Sequence, residues 1–470
     1  MEDVLEKDGR AEALYPPTVS RPAAPLSLPR YVLTFLGNPL RVMPEVVYHK
    51  PIVQYGDRLT WVTDPALVKR ILLDDREDFP KTHVEGRVLG GLLGKGILIA
   101  DGRDWRWQRQ TAAPIFRHAD ILQYAPTMAA AAEGLVAEWR ASPPGAVHQV
   151  DDDMTRVTFR VIAETMLKGG DGAEGEGLER SNQAYMGPIS WPLLFALFRL
   201  PGWLPFPGGG GRRRAEKSMR EAVLRIVRSR RANLAAGDDM LARLLRAKDP
   251  DTGETMSDVQ VVDNLLTFLL AGHETTARAL SWTLYLLARS PAWERRVREE
   301  VAQVAGLAPI RPAHVERLTE TAKVLKESMR LYPPISSLTR VVRRDVELGG
   351  KQLRAGSLII MPMFVMHRHR RMWEDPDRFD PDRFAPEREA TYPRYQYMPF
   401  GAGPRICIGA SFAMAEAAVM LATFVRANRF EVPVGHVPTP VSGITLRPTG
   451  GMPLRIWPRE APIAATAGTA

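Results

Sequence analysis

The sequence predicts a mainly α protein, a large helical domain carrying a small β-rich lobe. Apolar residues recur at helical spacing from Trp105 to about Leu331, and short β-type runs lie before and after that block. With 470 residues, 45% hydrophobic and 25% charged, the composition is that of a folded globular chain, which excludes disordered, collagen-like or membrane-saturated classes.

The elements follow in order. A Pro-rich stretch runs from Tyr15-Pro16-Pro17 to Leu28-Pro29-Arg30; it cannot continue a helix and predicts an extended lead-in draped over the surface. Short strands between Ile52 and Val62 surround Asp57, and Asp64 then caps a helix with Pro65 in its first turn. The helical block is broken by two flexible stretches, Gly169 to Gly177 and Pro201 to Arg214. Within the second, Gly208 to Gly211 precedes three arginines without the Lys-Ser/Thr ending of a phosphate cradle, and reads as a loop. After Tyr332-Pro333-Pro334 come strands at Thr339 to Val342 and Ser357 to Met361, an irregular stretch from Asp375 to Pro399, and a last helix from near Ile408. There is no internal repeat.

One cysteine excludes an internal disulfide and any cysteine cage for zinc or iron–sulfur, and points to a reducing, cytoplasmic setting. The net charge of +9 favours acidic partners but is too diffuse for a nucleic-acid binder. The acidic N-terminus does not read as a secretory signal, and the apolar runs Trp191 to Phe198 and Leu358 to Met366 fall short of the ~20 residues of a membrane span.

The single cysteine lies in Phe400-Gly401-Ala402-Gly403-Pro404-Arg405-Ile406-Cys407-Ile408-Gly409, where glycines and a proline force a tight loop before a helix. Most isolated cysteines are small buried apolar residues. Here loop amides and the following helix N-terminus favour a thiolate, which wants a metal or an electrophile. This loop resembles the haem-binding pattern F-x-x-G-x-R-x-C-x-G of the cytochrome P-450 family, of the soluble bacterial type, with Phe400, Gly403, Arg405, Cys407 and Gly409 at its fixed positions. The resemblance implies the cytochrome P-450 fold, haem b as cofactor, Cys407 as axial iron ligand and Arg405 beside a haem propionate. An anionic sulfur that pushes electron density onto iron suits O–O cleavage.

Three further motifs stand in the family's order. Ala271-Gly272-His273-Glu274-Thr275-Thr276 lies in a helix that opens with a capping box at Ser257 to Gln260, and its Gly and Thr residues are locally unfavourable there, a conflict that suggests function. His273-Glu274 lacks the second histidine of a zinc protease, since Ala277 occupies that position. By resemblance, Glu274 and Thr275 are the acid–alcohol pair that delivers protons, and Ala271 lies against the haem. Glu327-Ser328-Met329-Arg330, with Arg383 downstream, implies the family's buried ion cluster, in a scaffold role; Asp382 stands where the family usually has Glu. Trp105 and Arg109, one helical turn apart, can face one anionic group. The resemblance makes them propionate ligands together with Arg340, and puts Arg103 and Arg106 on the face nearest the thiolate, suited to an acidic electron carrier.

The resemblance covers residues 29–458 as one domain, between the lead-in 1–28 and a flexible tail 459–470. It implies an O2-dependent monooxygenase that hydroxylates a hydrophobic small molecule, a monomer without nucleic-acid partner or membrane span. Only 63 residues follow Cys407, too few for a flavin reductase domain, so electrons are expected from a separate ferredoxin or flavodoxin with its reductase. A peroxide-driven peroxygenase or a hydroperoxide-rearranging enzyme is disfavoured by Glu274 and Thr275, and a haem-based sensor by the lack of an output domain. Expected pocket residues are Leu89, Leu92, Leu193, Phe195, Phe198, Phe268 and Ile335, with Ser336 and Ser337 for one polar group, on segments Thr82 to Ile97, Met186 to Phe206, Phe268 to Ala271, Ile335 to Leu338 and Ser442 to Thr445. They suit a fatty, terpenoid or aromatic molecule. Trp203 to Phe206 reads as an access lid with an apolar inner face.

Overall fold

The computed structural model describes residues 13–166, 172–197, 199–233, 239–249 and 252–459. Its axis is the long helix, Asp258–Ala288. Ser257 starts it with a reciprocal cap: Gln260 N–H donates to Ser257 Oγ at 3.3 Å, and Ser257 N–H to Gln260 Oε1 at 2.9 Å. From Val261 to Leu287 almost every residue is buried, as in a helix that is apolar on all sides. Burying one such leucine or valine side chain stabilises by about 1.5–3 kcal/mol, so the burial of the whole helix far outweighs its few polar interruptions.

Helix Val150–Met166 packs along the long helix. At Gly272 the approach is so close that an added Cβ would lie 3.1 Å from Ile162 Cδ1. The glycine that looked costly in mid-helix is therefore a packing residue. On another side lies the cysteine helix, Ala410–Ala427, which also packs on Ala125–Arg140. The cysteine helix, not Trp191 to Phe198 or Leu358 to Met366, is the one helix among the described residues long and apolar enough to cross a bilayer; 67% of its apolar window is buried in the core.

The β-rich lobe holds a four-stranded sheet in the spatial order Ile52–Tyr55, Leu59–Val62, Leu358–Met361, Leu338–Val341. The middle pair is parallel, and Arg340 stands opposite Ile359. Asp64 caps Pro65–Lys69 by accepting from Ala66 and Leu67 N–H.

Four segments differ from the sequence reading, the first being the end of the Pro-rich stretch, where helix Leu28–Gly37 begins with Pro29 in its first turn, a position at which proline's missing N–H costs nothing. Ala146–Gln149, inside the block read as helical, is a strand paired with Pro453–Pro458, which in turn pairs with Asn428–Glu431. A partner some 300 residues away sets its conformation, beyond the reach of local periodicity. The run Gly208 to Gly211 is not wholly a loop, because helix Gly209–Ala232 begins within it. Arg212 anchors that start: its guanidinium donates to Tyr185 O at 2.7 Å and stacks 3.6 Å above the Tyr185 ring. Of the other stretch read as flexible, Gly172–Met186 is helical and 167–171 fall outside the described residues.

The lead-in from residue 13 is held against the body. Phe379 N–H donates to Leu14 O at 2.9 Å, and Tyr332 Oη to Pro17 O at 2.6 Å. The tail 460–470 lies outside the described residues, and Arg459 before it pairs with Glu294 at 2.5 Å.

Candidate active site

The loop before the cysteine helix closes on itself where Cys407 N–H donates to Phe400 O at 2.9 Å. Gly403, at φ +72°, sits so close to Leu72 that a Cβ would lie 2.6 Å from the Leu72 carbonyl oxygen, so only glycine fits. Phe116 lies beside Gly409 and packs edge-on against Phe268 of the long helix, ring centres 5.2 Å apart. One ring thus spans from the cysteine loop to the long helix.

Cys407 is open by surface area, yet burial pushes its thiol above the ordinary range, against the opposing pull of Gly409 N–H and Arg109. Both hold if the sulfur faces a hollow walled by protein rather than bulk water. The expected thiolate-favouring field is therefore incomplete, because burial outweighs one amide and one guanidinium.

Around the hollow, cations outnumber their partners. Arg109 and Arg340, both partly buried, have no carboxylate at ion-pair distance among the described residues, and burial depresses the pKa of each. Arg340 donates to Thr339 O at 2.7 Å. Arg405 is shared, reaching Asp101 at 2.5 Å and Ala100 O at 3.0 Å while its guanidinium stacks 4.4 Å over the Trp105 ring. Trp105, Arg340 and Arg405, together with Lys81 and Arg106, border a cleft of about 210 Å³ whose lining does not include Arg109. Lys81 was missed in the sequence. Its ammonium bonds to Leu98 O, and burial pulls its pKa down to about 8. Nothing local marks it, because the strand that brings Arg340 alongside lies far along the chain. A group with an anionic edge and a thiol-seeking metal fits this donor set, and haem has both.

On the long helix, Ala271 is exposed and Thr275 half-exposed, although residues on either side are buried. Thr275 Oγ1 donates to Ala271 O at 2.8 Å. Glu274, one position earlier, points elsewhere into the protein. It accepts from Thr445 Oγ1 at 2.8 Å and from Arg447 Nε at 3.1 Å. Burial raises its pKa, but Arg447 and Arg278 more than cancel that and hold it below the ordinary carboxylate range. A buried carboxylate requires a cation, which is the signal that could have led to Arg447. His273 is buried, with Nδ1 2.6 Å from Leu269 O and Nε2 3.0 Å from Asn182. No group of His, Cys, Asp and Glu among the described residues could hold a metal ion.

Glu327, Arg330 and Arg383 come together in the interior. Glu327 pairs with Arg330 at 2.6 Å and with Arg383 at 3.6 Å, and accepts from Asp380 N–H at 2.8 Å. Arg330 also donates to His367 O and Pro376 O, each at 2.7 Å. Asp382 is not a member; it faces outward to Arg296 and Lys323 at 2.9 and 3.0 Å.

Among the expected pocket residues, Leu89, Leu92, Phe195 and Phe268 are buried, and Phe198 lies outside the described residues. The Ser336 hydroxyl is engaged with Ser442 Oγ at 2.6 Å and is not free for a ligand. In the lid stretch Phe206 turns inward onto Phe195, ring centres 5.7 Å apart, whereas Trp203 is 74% exposed. Its apolar face is only partly inward.

A family model described as Cytochrome P450 matches residues 52–454. The chain is 31% identical over 429 residues to cyclooctat-9-en-7-ol 5-monooxygenase of Streptomyces melanosporofaciens, covering 90% of each. It is 30% identical over 427 residues to a cytokinin hydroxylase of Arabidopsis thaliana, covering 86% of this chain and 82% of that one. The crystal structure of the cytochrome P450DA heme domain superposes with a TM-score of 0.81 at 27% identity, over 94% of this chain and 99% of that one.

Proposed function

Since the chain belongs to the cytochrome P450 family and is therefore a haem b monooxygenase, we propose that Cys407 is its iron ligand and that it hydroxylates an apolar molecule of terpenoid size. Haem b, when bound, supplies the activation of O2 from which one oxygen atom enters the substrate. The chain's own residues do the rest. Trp105, Arg109, Arg340 and Arg405, with Lys81, hold the propionate edge, where two partly buried guanidiniums otherwise have no carboxylate at ion-pair distance among the described residues. Gly403 and Gly409 fix the loop so that Cys407 Sγ stays aimed into the hollow. The open thiol of Cys407 facing a walled interior carries this reading.

Thr275 presents its hydroxyl on the open face of the long helix, within reach of whatever occupies the hollow, and hands protons inward. Glu274, held ionised by Arg447 and Arg278, takes up a proton from solvent water once its carboxylate turns away from Arg447, and passes that proton on to Thr275. Glu327, Arg330 and Arg383 act as scaffold. Leu193, Phe195, Phe268 and Ile335 would wall an apolar substrate. The name of the Streptomyces relative, with its cyclic alcohol substrate, favours a terpenoid over a fatty acid.

Electrons come from a redox partner, which we propose is a ferredoxin or flavodoxin with its reductase, docking on exposed Arg103 and Arg106. Reduction by an acidic ferredoxin should slow as ionic strength rises; a rate indifferent to salt overturns that docking. We further propose that 29–458 form one domain, that the protein is a monomer and that it works in the cytoplasm. The central test is the carbon monoxide difference spectrum of the reduced protein. A thiolate-type band supports Cys407 as ligand, and its absence from haem-loaded protein overturns it. Apolar compounds that shift the ferric spin state then define the substrate.

A further inference from the structure

One acid in the cysteine helix has no role in the reading above. Glu416 is the only ionisable residue between Ala410 and Val425, and 1% of its surface is exposed. Among the described residues its Oε1 is buried without a partner, and the Thr276 hydroxyl of the long helix is the one side chain that acts on the carboxyl. Among the described residues no charged side chain acts on it; burial alone pushes it up to about 8, with Thr276 in opposition. Thr276 itself donates to Gly272 O at 3.1 Å. A hydroxyl has one hydrogen. With that hydrogen on Gly272 O, Thr276 can only accept, and a carboxylate cannot donate to it. A carboxylic acid can.

We propose that Glu416 is kept protonated and is the positioning residue of the long helix: its acid O–H donates to Thr276 Oγ1, and Thr276 passes its own hydrogen to the Gly272 carbonyl. This neutral chain ties the cysteine helix to the turn that carries Ala271 and Thr275. The claim rests on the reading of that turn as facing the reaction centre. Ionising Glu416 reverses the chain: Thr276 swings its hydrogen to the carboxylate, Gly272 O loses its extra donor, and the turn loosens at the residue packed against Ile162. An apolar residue at 416 would avoid the cost of burying an acid, so a carboxyl there marks a use for its proton.

The test compares the wild type with E416Q, whose amide can donate to Thr276 at every pH, and with E416L, which cannot donate. The first readout is unfolding of the haem-loaded proteins by urea across pH 5–9. A carboxyl raised in the folded state stabilises fully below its unfolded value and loses that contribution as pH climbs toward about 8. The ratio of wild-type to E416Q unfolding constants should therefore rise about tenfold per pH unit and level off above that point. Other titrating groups cancel in the ratio. A ratio flat across pH overturns the protonated state. The second readout is the fraction of reducing equivalents recovered as product rather than peroxide: E416Q should retain most of it at neutral pH, E416L should lose several-fold, and the wild type should approach E416L above about pH 8. Equal fractions for E416Q and E416L overturn the positioning role. Failure of the Cys407 reading would appear separately, in the carbon monoxide band, while the unfolding ratio would still report on Glu416.

Discussion

Two arginine-rich regions of this molecule are built on opposite principles. Around Glu327 both guanidiniums reach the carboxylate: Arg330 bonds both of its oxygens and three backbone carbonyls, and Arg383 pairs with Glu327 at 3.6 Å and donates to Asp375 O, its Nε being left without a hydrogen bond. Around Cys407, by contrast, Arg109 and Arg340 have no carboxylate at ion-pair distance among the described residues, and Lys81 is held by a backbone carbonyl while burial lowers its pKa to about 8. A closed set of partners fixes geometry. An open one asks for a ligand. Cation count alone would not distinguish the two regions, because the difference lies in which hydrogen bonds are already made.

The hardest blow to this contrast is C407A. It should remove product formation and the thiolate-type carbon monoxide band while leaving the circular dichroism of the fold in place, since the loop hydrogen bond uses the Cys407 backbone. Persistent turnover would dismiss the open region as a reaction centre. Next comes E327A, which strands two buried guanidiniums and should cost about 3–5 kcal/mol in urea unfolding. A cost below ~1 kcal/mol would mean the closed region is no scaffold.

R447Q probes the boundary between the two kinds of region, because Glu274 is paired yet lies beside the open face. Losing this charge-assisted bond should cost ~1.5 kcal/mol at neutral pH, toward the low end because Arg447 is partly exposed. Since the folded Glu274 is depressed, its contribution is present above the ordinary carboxylate range and is lost as pH falls through the lowered value. Unfolding measured from pH 7 down to pH 3 should show a shallower acid loss in R447Q than in the wild type. The smallest effect is expected from R340A, which should hardly alter urea unfolding yet weaken haem retention about tenfold in transfer to apomyoglobin, the scale of a lost supporting contact. If R340A destabilised as much as E327A, the distinction between open and closed would not hold.

Much of this organisation was legible in the chain. The cysteine loop, the capping box at Ser257 and the cap at Asp64 are local: a few adjacent residues satisfy one another, so their order implies their geometry. Gly272 shows the limit. Its mid-helix cost was visible, but its cause, the Ile162 side chain, was not. The strand Ala146–Gln149 was read as helix because its partner strand comes from the other end of the chain. Lys81, Arg447 and Glu416 were missed for the same reason, since a charge is given its role by neighbours that folding supplies.

The order of residues alone determined the class of fold, the place of the single sulfur, and the family motifs, because these depend on spacing along one segment. Only the folded chain decided that Asp382 faces outward, that Ser336 is spent on Ser442, that Glu274 is held by Thr445 and Arg447, and that Thr276 is the polar side chain that meets Glu416. Burial and hydrogen-bond partnership are properties of surfaces that meet across hundreds of residues, and no local pattern records them.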